Sequence, residues 1–133
     1  MSAKRPRVQA TTPCLIVSDL DRSIAYYRDM LGFREPAVWG EPPCFGMLHR
    51  DGFDLMLSLV EVQAQAPGGI HPNGVFGVWD FYIKVEDAEA EAEYLRAAGV
   101  KLAREPQETE YGMIEIDVVD PDGYRICFGS DLD

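Results

Sequence analysis

Alternating apolar and polar residues are the clearest pattern in this chain, and a period of two residues predicts β-strands. From Phe53 to Leu59 every second residue is apolar, with Asp54, Met56 and Ser58 between them. Similar short patterns predict strands over residues 11–18, 33–39, 45–50, 53–59, 78–85, 101–104, 113–119 and 124–128.

Two other segments have apolar residues at the three- and four-residue spacing of an amphipathic helix. The first helix begins near Asp19 or Asp21, either of which can cap it, and Gly32 can supply the positive φ that ends it. The second helix covers residues 87–98 and stops at Gly99. We expect the first helix to bury Ile24, Tyr27, Met30 and Leu31, and the second to bury Ala90, Tyr94, Leu95 and Ala98.

The order strand, helix and three strands occurs twice, which predicts two βαβββ modules. Asp51-Gly52 and the sequence DPDG at 120–123 are tight-turn signals before the last strand of each module. The predicted fold class is α+β, with curved, partly barrel-like mixed sheets and helices on the outer face. We expect a disordered lead-in at residues 1–10 and one domain at 11–133, divided into modules at 11–60 and 78–130 by a loop at 61–77.

Strand parity also separates an apolar face, which the helices cover, from a mixed face on the other side of each sheet. A mixed face of this composition suits a binding cleft better than a solvated surface. The candidate ligand-binding residues are Thr12, Met56, Ser58, Asp80, Tyr82, Glu115, Asp117, Cys127 and Trp39. Trp79 and Tyr111 could also line the rim, although parity assigns Trp79 to the core. Alternatively, the chain's own side chains or a partner subunit fill this face.

Four segments carry a resemblance to a known family, namely VSDLDRSIAYYRDMLGF (17–33), DGFDLMLSL (51–59), VEDAEAEAEYLRAAGV (85–100) and YGMIEIDVVDPDGYRICFG (111–129). They resemble the vicinal oxygen chelate superfamily, also called the glyoxalase/bleomycin-resistance/dioxygenase fold. The resemblance covers nearly the whole chain, and it implies a homodimer because members of this fold commonly pair their modules between subunits.

The same resemblance implies where a metal would be held. Metal-dependent members place His or Glu at four inward-facing strand positions, which correspond here to Thr12, Met56, Asp80 and Cys127. Of these, only Asp80 is a ligand that a hard divalent ion prefers. His49 and His71 fall at a hairpin end and in the loop, where we expect ordinary surface residues. We therefore predict no metal and no cofactor, which argues against a metal-dependent glyoxalase or extradiol dioxygenase.

Composition narrows the possible partners. The net charge of −11 argues against binding to nucleic acid or an anionic membrane, because phosphate contacts need clustered Lys and Arg. The acidity would suit a cationic small molecule, although it can equally serve solubility. The 3 cysteines lack paired spacing, and no apolar run reaches the roughly 18 residues of a membrane span. We expect a cytoplasmic protein.

Two functions remain open at this point. The first is a small-molecule-binding protein, similar to the metal-free bleomycin-resistance type, that sequesters a cationic or aromatic compound. The second is a lyase, isomerase or dioxygenase-like enzyme that uses the carboxylates of Asp80 and Asp117 as catalytic groups. Cys127 lacks a neighbouring histidine in the sequence pattern, so we interpret it as a buried thiol rather than a nucleophile.

Overall fold

The computed structural model describes residues 4–60 and 78–132, which form an α+β fold with two four-stranded mixed sheets. The first sheet has the order β1-β4-β3-β2, with β1 at Cys14–Val17, β2 at Arg34–Trp39, β3 at Phe45–Arg50 and β4 at Phe53–Leu59. The second has the order β5-β8-β7-β6, with β5 at Phe81–Lys84, β6 at Arg104–Glu108, β7 at Met113–Val119 and β8 at Arg125–Asp131. The predicted repeat is confirmed, since both sheets use the same strand order. The expected loop at 61–77, including His71, lies outside the described residues.

Local chemistry explains the turns that were predicted correctly. Asp51 and Gly52 have φ values of 53° and 87°, so both adopt the left-handed region that a tight hairpin requires, and Arg50 pairs with Phe53. In the second module, the Asp120 carboxylate accepts hydrogen bonds from the backbone N–H groups of Asp122 and Tyr124, both at 2.9 Å. The side chain of Asp120 therefore stabilises the tight turn through hydrogen bonds to the backbone that follows it.

Strand ends differ more from the prediction than strand centres do. The sixth strand was expected at 101–104 but begins at Arg104 and continues to Glu108, where Pro106 interrupts the expected alternation. The backbone pairing of this strand with β7 shifts between Arg104 and Gln107, as the pairing of β2 with β3 shifts between Arg34 and Ala37. These irregularities disturb the alternation of apolar and polar residues in the sequence of the edge strands, because they change which side chains share a face of the sheet.

The first helix, α1 at Leu20–Ala25, continues into a π-helical turn at Tyr26–Met30. Asp19 caps α1 by accepting a hydrogen bond from the backbone N–H of Arg22 at 3.0 Å. Gly32 follows with a φ of 78° and ends the element, as expected. The predicted apolar stripe is correct at Ile24, Tyr27 and Leu31, while Met30 is partly buried.

In the second helix, α2 at Ala88–Ala97, Leu95 is buried as predicted, but most of the remaining predicted inner face is not. Tyr94 is 68% exposed, and Ala90 also faces outward. The buried face instead comprises Ala88, Glu91, Ala92 and Leu95. Glu91 was not among the residues predicted to be buried. A buried carboxylate needs a partner, and Arg50 of the other module supplies it.

A single apolar core contains residues from both modules, including Leu57 and Tyr27 from the first and Leu95 and Phe128 from the second. Reciprocal polar contacts join the modules at the tips of their last hairpins. Arg50, at the first hairpin, contacts α2 through Glu91, and the second hairpin contacts the first helical segment through Asp120 and Asp122.

Within the described ranges, no helix has both the length and the apolar character needed to span a membrane.

Candidate ligand-binding site

The pairing of the second sheet brings four side chains into one row on the face opposite α2. Tyr82 pairs with Cys127, Cys127 with Asp117, and Asp117 with Arg104, so this row crosses all four strands. Ile116, Ile126 and Phe128 alternate with these residues and lie in the core. We call the face that carries the row the open face of the second sheet.

Two arginines and two acids form an ion-pair cluster on the open face, which we call the arginine–acid cluster: Arg104, Arg125, Glu115 and Asp117. Nη2 of Arg104 lies 2.9 Å from Oε1 of Glu115 and 2.9 Å from Oδ1 of Asp117. Nε of Arg125 lies 3.0 Å from Oδ2 of Asp117. The acids form the floor of the cluster, because Glu115 is 0% exposed and Asp117 is 2% exposed.

Hydrogen bonding favours the charged forms of Glu115 and Arg104 despite their burial. Burial alone would raise the pKa of Glu115, but hydrogen bonds from Tyr111 and Arg104 outweigh it and hold the pKa below its usual value. Burial would likewise lower the pKa of Arg104, but its hydrogen bonds to Asp117 and Glu115 raise the pKa above the usual value. Glu115 and Arg104 therefore both carry their charges at neutral pH.

Two neutral groups lie beside these charges. Burial and, to a smaller extent, the neighbouring Asp117 carboxylate together raise the pKa of Cys127 to about 12, so the thiol is protonated at neutral pH. Burial also raises the pKa of Tyr82, with an added contribution from Glu115. The Tyr82 hydroxyl lies against Gly129 and lacks a well-formed hydrogen bond to any described residue. Neither group is a nucleophile in this setting.

A cavity of about 340 Å³ opens above the arginine–acid cluster, which falls in the range of small-molecule sites. Its wall adds apolar and aromatic surface to the charged floor, through Val78, Trp79 and Tyr111. Trp79 is 36% exposed and packs edge-on against Tyr82 with ring centroids 5.1 Å apart. Tyr111 is 62% exposed and donates a hydrogen bond of 2.7 Å to Oε2 of Glu115.

The residues proposed from the sequence divide into three groups. Glu115 and Asp117 line the cavity, and Asp80, Tyr82 and Cys127 lie in or beside the same sheet without forming its wall. Thr12, Met56 and Ser58 belong to the first module. Trp39 also belongs to the first module, where it packs against Phe45 with ring centroids 5.6 Å apart.

The assignment of Trp79 to the core was wrong. The alternation that placed it there assumed a strand from residue 78, but β5 begins at Phe81, and Trp79 lies in the bend before it. Outside the strand, parity no longer governs the direction of the side chain. Tyr111, just before β7, lines the cavity.

Arg104 was missed by sequence reasoning. The predicted strand ended at this residue, so its side chain was not assigned to a face. The available signal was the pair of acids Glu115 and Asp117 on the next strand, since buried carboxylates need cationic partners.

The residues present do not fit a metal ion. The described residues contain no group of three or more His, Cys, Asp or Glu side chains with the geometry to hold one. Nη2 of Arg104 lies 3.5 Å from Sγ of Cys127, so the positively charged guanidinium group already lies beside that thiol. Oδ2 of Asp80 accepts a hydrogen bond of 2.8 Å from the backbone N–H of Arg125. Neither the donor set nor its surroundings match a divalent site.

The chain belongs to the Glyoxalase/Bleomycin resistance protein/Dioxygenase superfamily, whose family model matches residues 7–128. A curated relative, the lactoylglutathione lyase of Haemophilus influenzae, is 34% identical over 117 residues, covering 86% of this chain and 86% of the relative. A glyoxalase/bleomycin resistance protein/dioxygenase from Nocardioides has a similar structure, with a TM-score of 0.71, 21% identity, and coverage of 99% of this chain and 87% of that chain.

TioX from Micromonospora sp. ML1 is also similar, with a TM-score of 0.69 and 20% identity over 94% of this chain and 100% of that chain. At these identities the structural likenesses establish the fold alone. The family inferred from the sequence motifs is confirmed.

Proposed function

We propose that this protein binds a small molecule with an aromatic part in the cavity above the arginine–acid cluster. The observation that carries the proposal is the cavity itself: Trp79 and Tyr111 supply exposed aromatic surface beside a fixed polar floor. Sites for small ligands commonly combine an apolar wall with a few convergent polar groups. The aromatic rings can stack on a planar ligand, while the charged groups orient it.

The 2 tryptophans provide a direct test, because Trp79 lines the cavity and Trp39 lies in the first module. In a Trp39→Phe variant, the fluorescence comes from Trp79, and an aromatic ligand in the cavity should change it in a saturable way. In the matched Trp79→Phe variant, the signal comes from Trp39 and should stay constant. A response from Trp39 alone would move the site to the first module and overturn this proposal.

The proposed binding mode requires no metal. The donors at Thr12, Met56, Asp80 and Cys127 are poorly suited to a divalent ion, as the contacts of Asp80 and Cys127 indicate. We expect metal analysis of protein purified without a histidine tag to find no stoichiometric zinc, nickel or iron. A stoichiometric metal that is lost when Asp80 is changed to Ala would contradict this expectation.

A second candidate function is catalysis, and the observation that favours it is the 34% identity to a lactoylglutathione lyase. In that case Asp117 is the candidate acid–base group, with Asp80 as an alternative. The test is to follow the formation or breakdown of lactoylglutathione by chromatography. Turnover that Asp117→Asn abolishes and Asp131→Asn retains would favour the enzyme, because Asp131 is an exposed partner of Lys84 on the same sheet.

We further propose that the protein forms a homodimer. Among the described residues, β2 and β6 each pair with one neighbour in their sheets, which leaves one edge of each strand for pairing with another chain. A second subunit could also cover the open face and deepen the cavity. Light scattering at micromolar concentration should give twice the mass of one chain, and a monomer would refute the assignment.

A further inference from the structure

The carboxylates of the cavity floor have no unused oxygen. Oε1 of Glu115 accepts from Arg104 and Oε2 from Tyr111, at 2.9 Å and 2.7 Å. Oδ1 of Asp117 accepts from Arg104 at 2.9 Å, and Oδ2 accepts from Arg125 at 3.0 Å. Each of these four oxygens therefore already accepts a hydrogen bond, and a cationic ligand would have to share an oxygen with an arginine or a tyrosine.

The arginines, in contrast, retain unused donors. Arg125 donates to Asp117 through Nε, and within residues 4–60 and 78–132 its two terminal nitrogens have no hydrogen-bond acceptor. Arg104 makes its hydrogen bonds through Nη2, and Nη1 has no acceptor in the same part of the chain. Both side chains line the cavity. A guanidinium group presents its donors in a fixed plane that matches the two oxygens of a carboxylate.

The charge balance of the cavity agrees with the hydrogen bonds. Two guanidinium groups and two carboxylates sum to a charge of zero, so the floor has no excess negative charge to attract a cation. The net charge of −11 belongs to the whole chain, and salt screens charges that lie beyond about 8 Å at physiological ionic strength. The free arginine donors in the cavity should therefore influence the charge of the preferred ligand more than the net charge of the whole chain does.

We infer that the ligand of this cavity is a small aromatic acid, whose ring lies against Trp79 and Tyr111 and whose carboxylate binds the free donors of Arg104 and Arg125. The inference rests on the proposed binding function and goes beyond it by naming the ligand class. It also replaces the cationic ligand suggested by composition with an anionic one.

Three probes with one ring system test the inference: 2-naphthoate, 2-naphthylmethylammonium and 2-naphthalenemethanol. Calorimetry on the full chain should show that the acid binds at least about tenfold more tightly than the amine or the alcohol, since a charge-assisted hydrogen bond is worth more than about 1.4 kcal/mol. Equal or tighter binding of the amine would overturn the inference while leaving the binding function intact. Failure of all three probes to bind would overturn both.

Variants then locate the carboxylate. Arg125→Gln should weaken binding of the acid by about tenfold, leave the alcohol unaffected, and improve binding of the amine, because Oδ2 of Asp117 loses its partner. Arg28→Gln removes the same charge at an exposed site on the π-helical turn and should leave all three affinities unchanged. If both variants weaken the acid equally, the effect is one of overall charge, and the assignment to Arg125 is wrong.

Discussion

The contact between Arg50 and Glu91 connects the two modules through a nearly buried ion pair, and its removal should destabilise the whole fold. Nη2 of Arg50 lies 2.6 Å from Oε1 of Glu91, and Nη1 lies 3.1 Å from Oε2. Nη1 also donates to the carbonyl of Leu31, at 3.1 Å. Arg50→Met removes all of these hydrogen bonds but keeps an unbranched side chain of similar length above the ring of Phe128.

The size of the effect follows from the burial of the two partners. The side chain of Glu91 is 9% exposed and that of Arg50 is 24% exposed, so Arg50→Met leaves a carboxylate with little access to water. Loss of one member of a buried pair costs about 3–5 kcal/mol, and the partial exposure of Arg50 favours the lower end, about 3 kcal/mol. With a urea m-value of about 2 kcal/mol/M, the unfolding midpoint should fall by about 1.5 M.

The assay is urea unfolding followed by circular dichroism, at one protein concentration because a dimer would link stability to concentration. Arg28→Met is the control, since Arg28 pairs with Asp29 at an exposed position, and it should leave the midpoint unchanged. The double variant Arg50→Met/Glu91→Leu removes both charges and should recover most of the lost stability. A loss below about 1 kcal/mol in Arg50→Met, or a double variant no more stable than the single one, would refute the reasoning.

Three further predictions concern the buried polar groups. Burial raises the pKa of Asp120, and the hydrogen bond of 2.6 Å from the Tyr27 hydroxyl opposes that rise, so Tyr27→Phe should raise the carboxyl pKa further. A carboxyl group whose pKa is raised by folding makes the folded state less stable as the pH increases through that pKa. The destabilisation by Tyr27→Phe should therefore be larger at pH 7 than at about pH 3. A difference in urea unfolding that does not depend on pH would contradict this prediction. Native protein should expose two thiols to a disulfide reagent and protect Cys127, whose pKa is about 12, until unfolding; rapid reaction of all three would count against the buried thiol. Gly129→Ala should destabilise the fold, because a Cβ there would collide with the Tyr82 side chain. Adding Tyr82→Leu should restore stability in urea unfolding, and a double variant as unstable as Gly129→Ala would refute the clash.

Periodic patterns in the sequence determined most of the elements of this fold. The hydrophobic alternation located β3, β4 and β7 at their observed bounds, and the capping and glycine signals located both helices. These signals are local, because a strand face, an N-cap or a left-handed turn depends on residues within a few positions of each other. The motifs also identified the family, since the repeat spans both modules.

Tertiary contacts alone decided which polar residues could be buried. Glu91 lies on the inner face of α2 because Arg50, distant in sequence, reaches it from the other module. Arg104 covers Cys127 and joins Glu115 to Asp117 because an irregularity in β6 sets its register against β7. Neither partner can be assigned from one segment, since the free energy of a buried charge depends on the group that meets it across the fold. The same contacts engage every carboxylate oxygen of the cavity floor and leave arginine donors free, which is the basis for proposing an anionic ligand where composition alone suggested a cationic one.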